Sequence, residues 1–233
     1  MNEFVHIDDL TLSVRRSDRR RTVEFTIERD NSITLAAPSG VPVEELERVA
    51  RRKRLALHTK LAERAAFAHP PRVKEYVAGE GFYYLGRSYR LALVAPDDEP
   101  DAPPLRLVGD KFFLRRDERE GAAQHFVSWY VEQGQSWLRR PVSRLAVRIG
   151  VEVGAVRVQD LGYRWGSCGP RSGLNFHWRT MQLPPRIIEY VIAHELVHLI
   201  EPRHSADYWR RLERAMPDFA ARKEWLAEHG REF

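Results

Sequence analysis

Apolar residues alternate with polar ones at Leu10, Leu12 and Val14, again at Val23, Phe25 and Ile27, and at Ile33 and Leu35. A period of two sends successive side chains to opposite faces of a strand, so this stretch predicts half-buried antiparallel strands. Asp30 and Asn31 predict the turn between the last two. From Val43 to about Ala68 the period becomes helical, with Leu46, Val49, Leu57 and Leu61 on one stripe, and Pro70 and Pro71 end it. Phe82 to Leu93 reads as a hairpin turning at Gly86, and Leu105 to Leu114 as a second turning at Gly109 and Asp110. Between them APDDEPDAPP (95–104) reads as a loop or linker. No segment repeats another in sequence.

Phe126, Val127, Tyr130, Val131, Trp137 and Leu138 predict a second long helix, from about Asp117 to Arg140, followed by Pro141 and an amphipathic stretch to Ile149. A small antiparallel sheet is expected next. Its strands begin at Val156, run from Tyr163 to Ser167 and from Leu174 to Thr180, and CGPRSG (168–173) turns between the last two. Pro184 and Pro185 suit the start of a helix. Ile187, Ile188, Val191, Ile192, Leu196, Val197, Leu199 and Ile200 make that helix apolar nearly all round, as in a buried one. Two closing helices, Ala206–Ala215 and Phe219–His229, break at Met216 and Pro217. The class is α+β, with an N-terminal β-rich region holding one long helix (1–115) and a C-terminal domain (116–233).

Composition narrows the class without naming a function. In 233 residues, 30% charged and 43% hydrophobic, there is one cysteine, Cys168, so no internal disulfide can form and a reducing compartment is expected. No signal-like N-terminus and no membrane-length apolar run is evident, so the expected location is the cytoplasm. The net charge of +5 is carried mainly by arginine, most densely at Arg15, Arg16, Arg19, Arg20 and Arg21. That cluster suits either a nucleic-acid partner or a solvated loop between the first two strands.

The chemistry concentrates in the apolar helix, where HELVH places His194 and His198 four residues apart with Glu195 between them. Residues i and i+4 share a helix face, so both imidazoles can reach one metal ion, with Glu195 beside it. Burying these groups costs free energy unless they have partners, and a metal supplies them. Pro202 should break the helix and return His204 as a third ligand, with Ser205 capping the next helix. The spacing is that of HExxHxxGxxH, but Glu201 stands where that pattern has its glycine. Three ligands leave a fourth position open, the mark of a catalytic zinc.

Cys168 reads as a fourth ligand, a nucleophile or a small buried or turn residue, and Met216 as a residue under the metal or in the core. Tyr163, Arg164 and Tyr208 are candidate oxyanion partners.

YRWGSC (163–168), LNFHWR (174–179), IEYVIAHELVHL (188–199) and HSADYW (204–209), with GEGFYYLGRSYRL (79–91), together resemble the YgjP-like metallopeptidases of the zincin group, and more distantly SprT-like proteases. The resemblance spans most of the chain. It implies a zincin-type domain with one zinc on His194, His198 and His204 and Glu195 as the catalytic carboxylate. The expected activity is peptide hydrolysis, in which Glu195 takes the proton of the zinc-bound water and hands it to the leaving amine. The expected partner is a peptide or unfolded protein, laid along an edge strand such as Leu174–Thr180. Two other readings stand beside it: hydrolysis of a non-peptide amide, or a non-catalytic zinc module associated with nucleic acid. Glu195 argues against the last, because a structural site has no use for it.

Overall fold

In the computed structural model the described residues are 3–27, 32–66 (side chains to 61), 74–96, 102–162 and 164–233. The turn at Asp30 and Asn31, the helix stop at Pro70 and Pro71, residues 97–101 of the acidic stretch, and Tyr163 lie outside them. The chain forms two compact units, 1–69 and 70–233. Among the described residues no helix is long and apolar enough to cross a membrane.

The first unit holds strands β1 (Glu3–Ile7), β2 (Leu10–Arg16), β3 (Glu24–Ile27) and β4 (Ile33–Ala37), then helix α1 (Val43–Ala66). β1 belongs to the sheet although the alternation began only at Leu10. The strand order is β1-β2-β4-β3, with β2 and β4 parallel and Leu12 opposite Ile33, so the expected all-antiparallel arrangement is corrected. Alternation reports which face of a strand is buried but not which strand lies beside it. Here β4, with Ile33, Leu35, Ala36 and Ala37 all buried, takes an inside position, while β3 goes to the edge. Leu46, Ala50 and Leu57 of α1 join Val5, Ile7, Leu12 and Leu35 in one core.

Arg15 and Arg16 sit inside β2 rather than in the following connection. Arg16 grips Glu3 through Nε and Nη2 at 2.6 and 2.7 Å and reaches the Val41 carbonyl at 2.6 Å. Arg20 pairs with Glu24 at 2.8 Å. Two of the five clustered arginines thus hold the fold together locally.

The second unit opens with β5 (Gly81–Tyr84), β6 (Arg87–Val94), β7 (Leu105–Val108) and β8 (Lys111–Arg115), then α2 (Ala122–Trp137) and α3 (Arg139–Ile149). The order is β5-β6-β8-β7, with β6 and β8 parallel between two antiparallel hairpins. This repeats the topology of the first unit, again followed by a long helix, although the two sequences show no repeat.

Phe82 stacks on Phe126 of α2 at 4.0 Å between ring centroids, and Phe112 packs edge-on against Phe126 at 5.1 Å. The same core continues through Tyr130, Phe176 and Met181 to Ile188 and Leu196. The boundary expected at 115/116 therefore falls inside one core, and the units part at 69/70. The acidic stretch marks a connection within a sheet instead of a domain border.

The chain continues through β9 (Val156–Gln159), β10 (Gly166–Cys168), β11 (Leu174–His177), α4 (Pro185–His198), α5 (Ala206–Ala215) and α6 (Phe219–His229). The small sheet has the order β10-β11-β9, and β11 runs parallel to β9. It is therefore mixed rather than antiparallel, and β11, expected at an edge, lies in the centre. Leu174 and Phe176 are fully buried and His177 nearly so, which a central strand permits. Gln135 of α2, its amide turned to suit its neighbours, donates to the Val156 carbonyl at 3.1 Å and accepts from the Val158 N–H at 2.9 Å. That closes the outer edge of β9.

The β5–β6 turn fixes the start of α4: Leu85 and Gly86 N–H groups donate to Met181 and Gln182 carbonyls at 2.8 and 3.0 Å. Gly86 has φ +78°, and a Cβ there would lie 2.9 Å from the Pro184 Cα, so this turn requires glycine.

Candidate metal centre

Helix α4 begins at the expected prolines and carries His194, Glu195 and His198 in its last turns. Beyond it the chain tightens, with Leu199 and Ile200 N–H groups bonding three residues back and Glu201 N–H reaching the Val197 carbonyl at 2.9 Å. Ser205 then caps α5, its hydroxyl accepting from the Tyr208 N–H at 3.2 Å. This turn carries His204 back over the helix. Its Nε2 lies 3.1 Å from the Nε2 of His198 and 3.1 Å from that of His194.

Three imidazole nitrogens this close fit a shared metal ion. Zinc–nitrogen bonds of about 2.0–2.1 Å in a tetrahedron separate two ligand atoms by about 3.3 Å. Protons alone do not satisfy the cluster. The Nδ1–H of His198 donates to the Glu201 carbonyl at 3.0 Å, so its Nε2 carries a lone pair while the ring is neutral. His204 Nε2 can offer one proton at most to two neighbours. Burial first, then His198 and His204, lowers His194 to about 3, and burial also lowers His204. Both rings are thus held in the neutral form that a metal requires. Among the described residues the buried His194 Nδ1 has no hydrogen-bond partner, and its ring is set by packing. Among the described residues these three histidines are the group able to hold an ion.

The walls of the site come from aromatic side chains and from β10. Tyr208 is fully buried, its ring 4.6–5.4 Å from all three imidazoles, and its hydroxyl donates to the His194 carbonyl at 3.1 Å. With that proton committed, Tyr208 is a support of the histidines and no oxyanion partner. Trp209 stacks on His204 at 5.4 Å and 21°, and the Lys223 ammonium lies 4.5 Å from the Trp209 ring centre. Met216 is buried in the main core.

Glu195 is 7% exposed and faces β10. A Cβ at Gly166 would lie 2.8 Å from Glu195 Cγ and 2.9 Å from Oε1, so only glycine leaves room for the carboxylate. Burial pushes the Glu195 carboxyl up to about 7, opposed by the Cys168 thiol and by the charge of Arg164. Cys168 is exposed as a residue of β10, but its thiol turns inward, the Sγ donating to the Glu195 carbonyl at 2.9 Å. Burial of the thiol, then Glu195, pushes it up to about 12, which keeps it a donor rather than a nucleophile.

The structure therefore gathers His194, His198 and His204, sets Glu195 of the same helix against β10, and leaves Cys168 outside the histidine group. Gly166 and the thiol contact were missed from sequence. The signal available was the GSC segment itself, which lies well ahead of HELVH in the sequence and does not reveal that strand and helix touch.

A family model described as YgjP-like, metallopeptidase domain, matches residues 21–229. Among solved structures, the metallopeptidase zymogen abylysin of Pyrococcus abyssi is 18% identical, with a TM-score of 0.35, over 37% of this chain and 89% of that one. No curated protein matches the chain significantly.

Proposed function

The chain belongs to the YgjP-like metallopeptidase family, and from that premise we propose that it is a zinc-dependent peptidase with Glu195 as its general base. The observation that carries this reading is the convergence of three histidine Nε2 atoms, 3.1 Å apart in two pairs, beside a buried glutamate. His194, His198 and His204 would hold one zinc ion in a zincin-type arrangement of sheet and HExxH helix. When bound, zinc polarises a carbonyl and lowers the pKa of a coordinated water to roughly 7.

Glu195 then does the proton work. Its carboxylate would take the proton of the attacking water and deliver it to the leaving amine. Burial raises this carboxyl above the ordinary carboxylate range, which helps it hold the proton before passing it on.

The peptide lies along β10 rather than β11. Trp165 and Gly169 bond across to His177 and Gly173 on the β11 side, at 2.9 and 2.7 Å. By the alternation of an antiparallel ladder, the main-chain groups of Gly166 and Cys168 then point to the other edge. No strand among the described residues pairs with that edge. Main-chain pairing there would hold extended, unfolded protein with little side-chain selectivity.

The test is zinc analysis and cleavage of unfolded, labelled casein by the wild type and Glu195→Ala. About one zinc per chain is expected in both, as three histidines suffice for binding, with cleavage by the wild type alone. A variant as active as the wild type would overturn the role of Glu195, and a metal-free wild type the site itself.

A further inference from the structure

Strand β10 meets Glu195 twice, and the second contact has no part in holding a metal. In a regular helix the Leu199 N–H would bond to the Glu195 carbonyl, but it bonds to Leu196 at 3.1 Å instead. The Glu195 carbonyl is thereby left among the orphan acceptors of the helix end. Cys168 Sγ lies 2.9 Å from this oxygen and 3.6 Å from Glu195 Oε2. One residue earlier, the His194 carbonyl receives the Tyr208 hydroxyl at 3.1 Å. Two successive carbonyls of the HExxH turn are therefore held from outside the helix, one from α5 and one from β10.

We infer that Cys168 is a positioning residue for Glu195, its S–H bonded to the Glu195 main-chain oxygen and set against Oε2, so that the carboxylate is fixed against β10. This rests on the peptidase reading for its consequence but not for its geometry. The register agrees with it. Residues two apart on a strand share a face, so the side chain of Cys168 and the open face of Gly166 both meet Glu195, Gly166 making the room and Cys168 the bond. The thiol has no place in the histidine group. Its weak acidity fits a group that donates a proton in a bond and keeps it.

Two measurements on the full chain test the inference. The protein has a single cysteine, so the infrared S–H stretching band reports on Cys168 alone. A bonded thiol gives a band shifted down from the free-thiol position, returning to it on denaturation, whether or not metal is present. A folded protein with its band at the free-thiol position overturns the inference and leaves the peptidase reading untouched.

The second measurement takes kcat, KM and zinc affinity, the last by competition with a chromogenic chelator, for Cys168→Ser and Cys168→Ala. Serine keeps a donor and should stay within about threefold of wild-type kcat. Alanine should lose kcat by about tenfold or more, part of the 10²–10⁴ that a placed general base contributes, with KM and zinc affinity within about twofold. An alanine variant with wild-type kcat overturns the inference. So does a fall in kcat that tracks a fall in zinc affinity, or one that serine does not rescue. Full activity in Glu195→Ala would instead remove the general-base role of Glu195 beneath it, and a wild type that cleaves nothing the peptidase reading itself.

Discussion

Gly166→Ala isolates the fit between β10 and the Glu195 carboxylate proposed as the base. The added methyl would stand 2.8 Å from Glu195 Cγ, 2.9 Å from Oε1 and 3.1 Å from Cδ. Carbon–carbon contacts settle near 3.5–4.0 Å, so strand and side chain must separate by roughly 0.7–1.2 Å. Overpacking of this kind costs about 1–3 kcal/mol. Alanine also gains about 0.5–1 kcal/mol over glycine in a strand through the unfolded state. The clash should win, leaving a net loss of about 1–2 kcal/mol. For a unit of this size that lowers the melting temperature by about 3–6 °C. A base displaced by about 1 Å should cost on the order of a hundredfold in kcat. Circular dichroism melts and casein cleavage by zinc-loaded protein read both effects. In a Glu195→Ala background the three clashing atoms are gone, so the same change should turn neutral or stabilising. Equal destabilisation in both backgrounds would refute the contact with Glu195, and wild-type kcat in Gly166→Ala would refute its importance.

Chelation of zinc-loaded protein should lower its melting temperature by on the order of 10 °C, since a ligand at 100–1,000 times its Kd adds about 2.7–4.1 kcal/mol. Titrating EDTA during a melt checks this, and no shift would argue against a bound metal. His204→Ala should lose most of that shift and, in a competition assay, most of the zinc affinity. Tyr208→Phe keeps the packing but removes the hydroxyl bond to the His194 carbonyl, costing about 1 kcal/mol and 2–4 °C. An unchanged melt would mean that this bond contributes nothing. Trp209→Ala should weaken zinc binding by about tenfold, because the ring that stacks on His204 is lost. Chelator competition reads it, with casein-cleavage KM as the companion measurement.

What the sequence revealed was local, and what it concealed was pairing. The candidate ligands were legible because helical periodicity fixes which residues share a face, and Pro202 fixes where the chain must turn back. The hairpins at Gly86 and Gly109 were legible for the same reason, since turn chemistry acts over four residues. Strand neighbours are another matter. Leu12, Leu35, Phe112 and Phe176 each declare a buried face, yet the partner that covers the backbone edge is decided by the whole sheet. The three parallel pairs among the described residues, β2 with β4, β6 with β8 and β9 with β11, were therefore invisible. The error at β11 had a functional consequence. Read as an edge, Leu174–Thr180 would present substrate; as the central strand it cannot, and Gln135 closes β9. Among the described residues of this small sheet, β10 is left with an open edge, and β10 is also the strand that sets Gly166 and Cys168 against Glu195. A peptide added to its outer edge would draw on the same two residues, Gly166 and Cys168, that set the position of the carboxylate. Substrate binding and alignment of the base would then be one event rather than two. A peptide whose main-chain amides are N-methylated at the pairing positions should accordingly lose kcat as well as KM, and a loss confined to KM would separate the two.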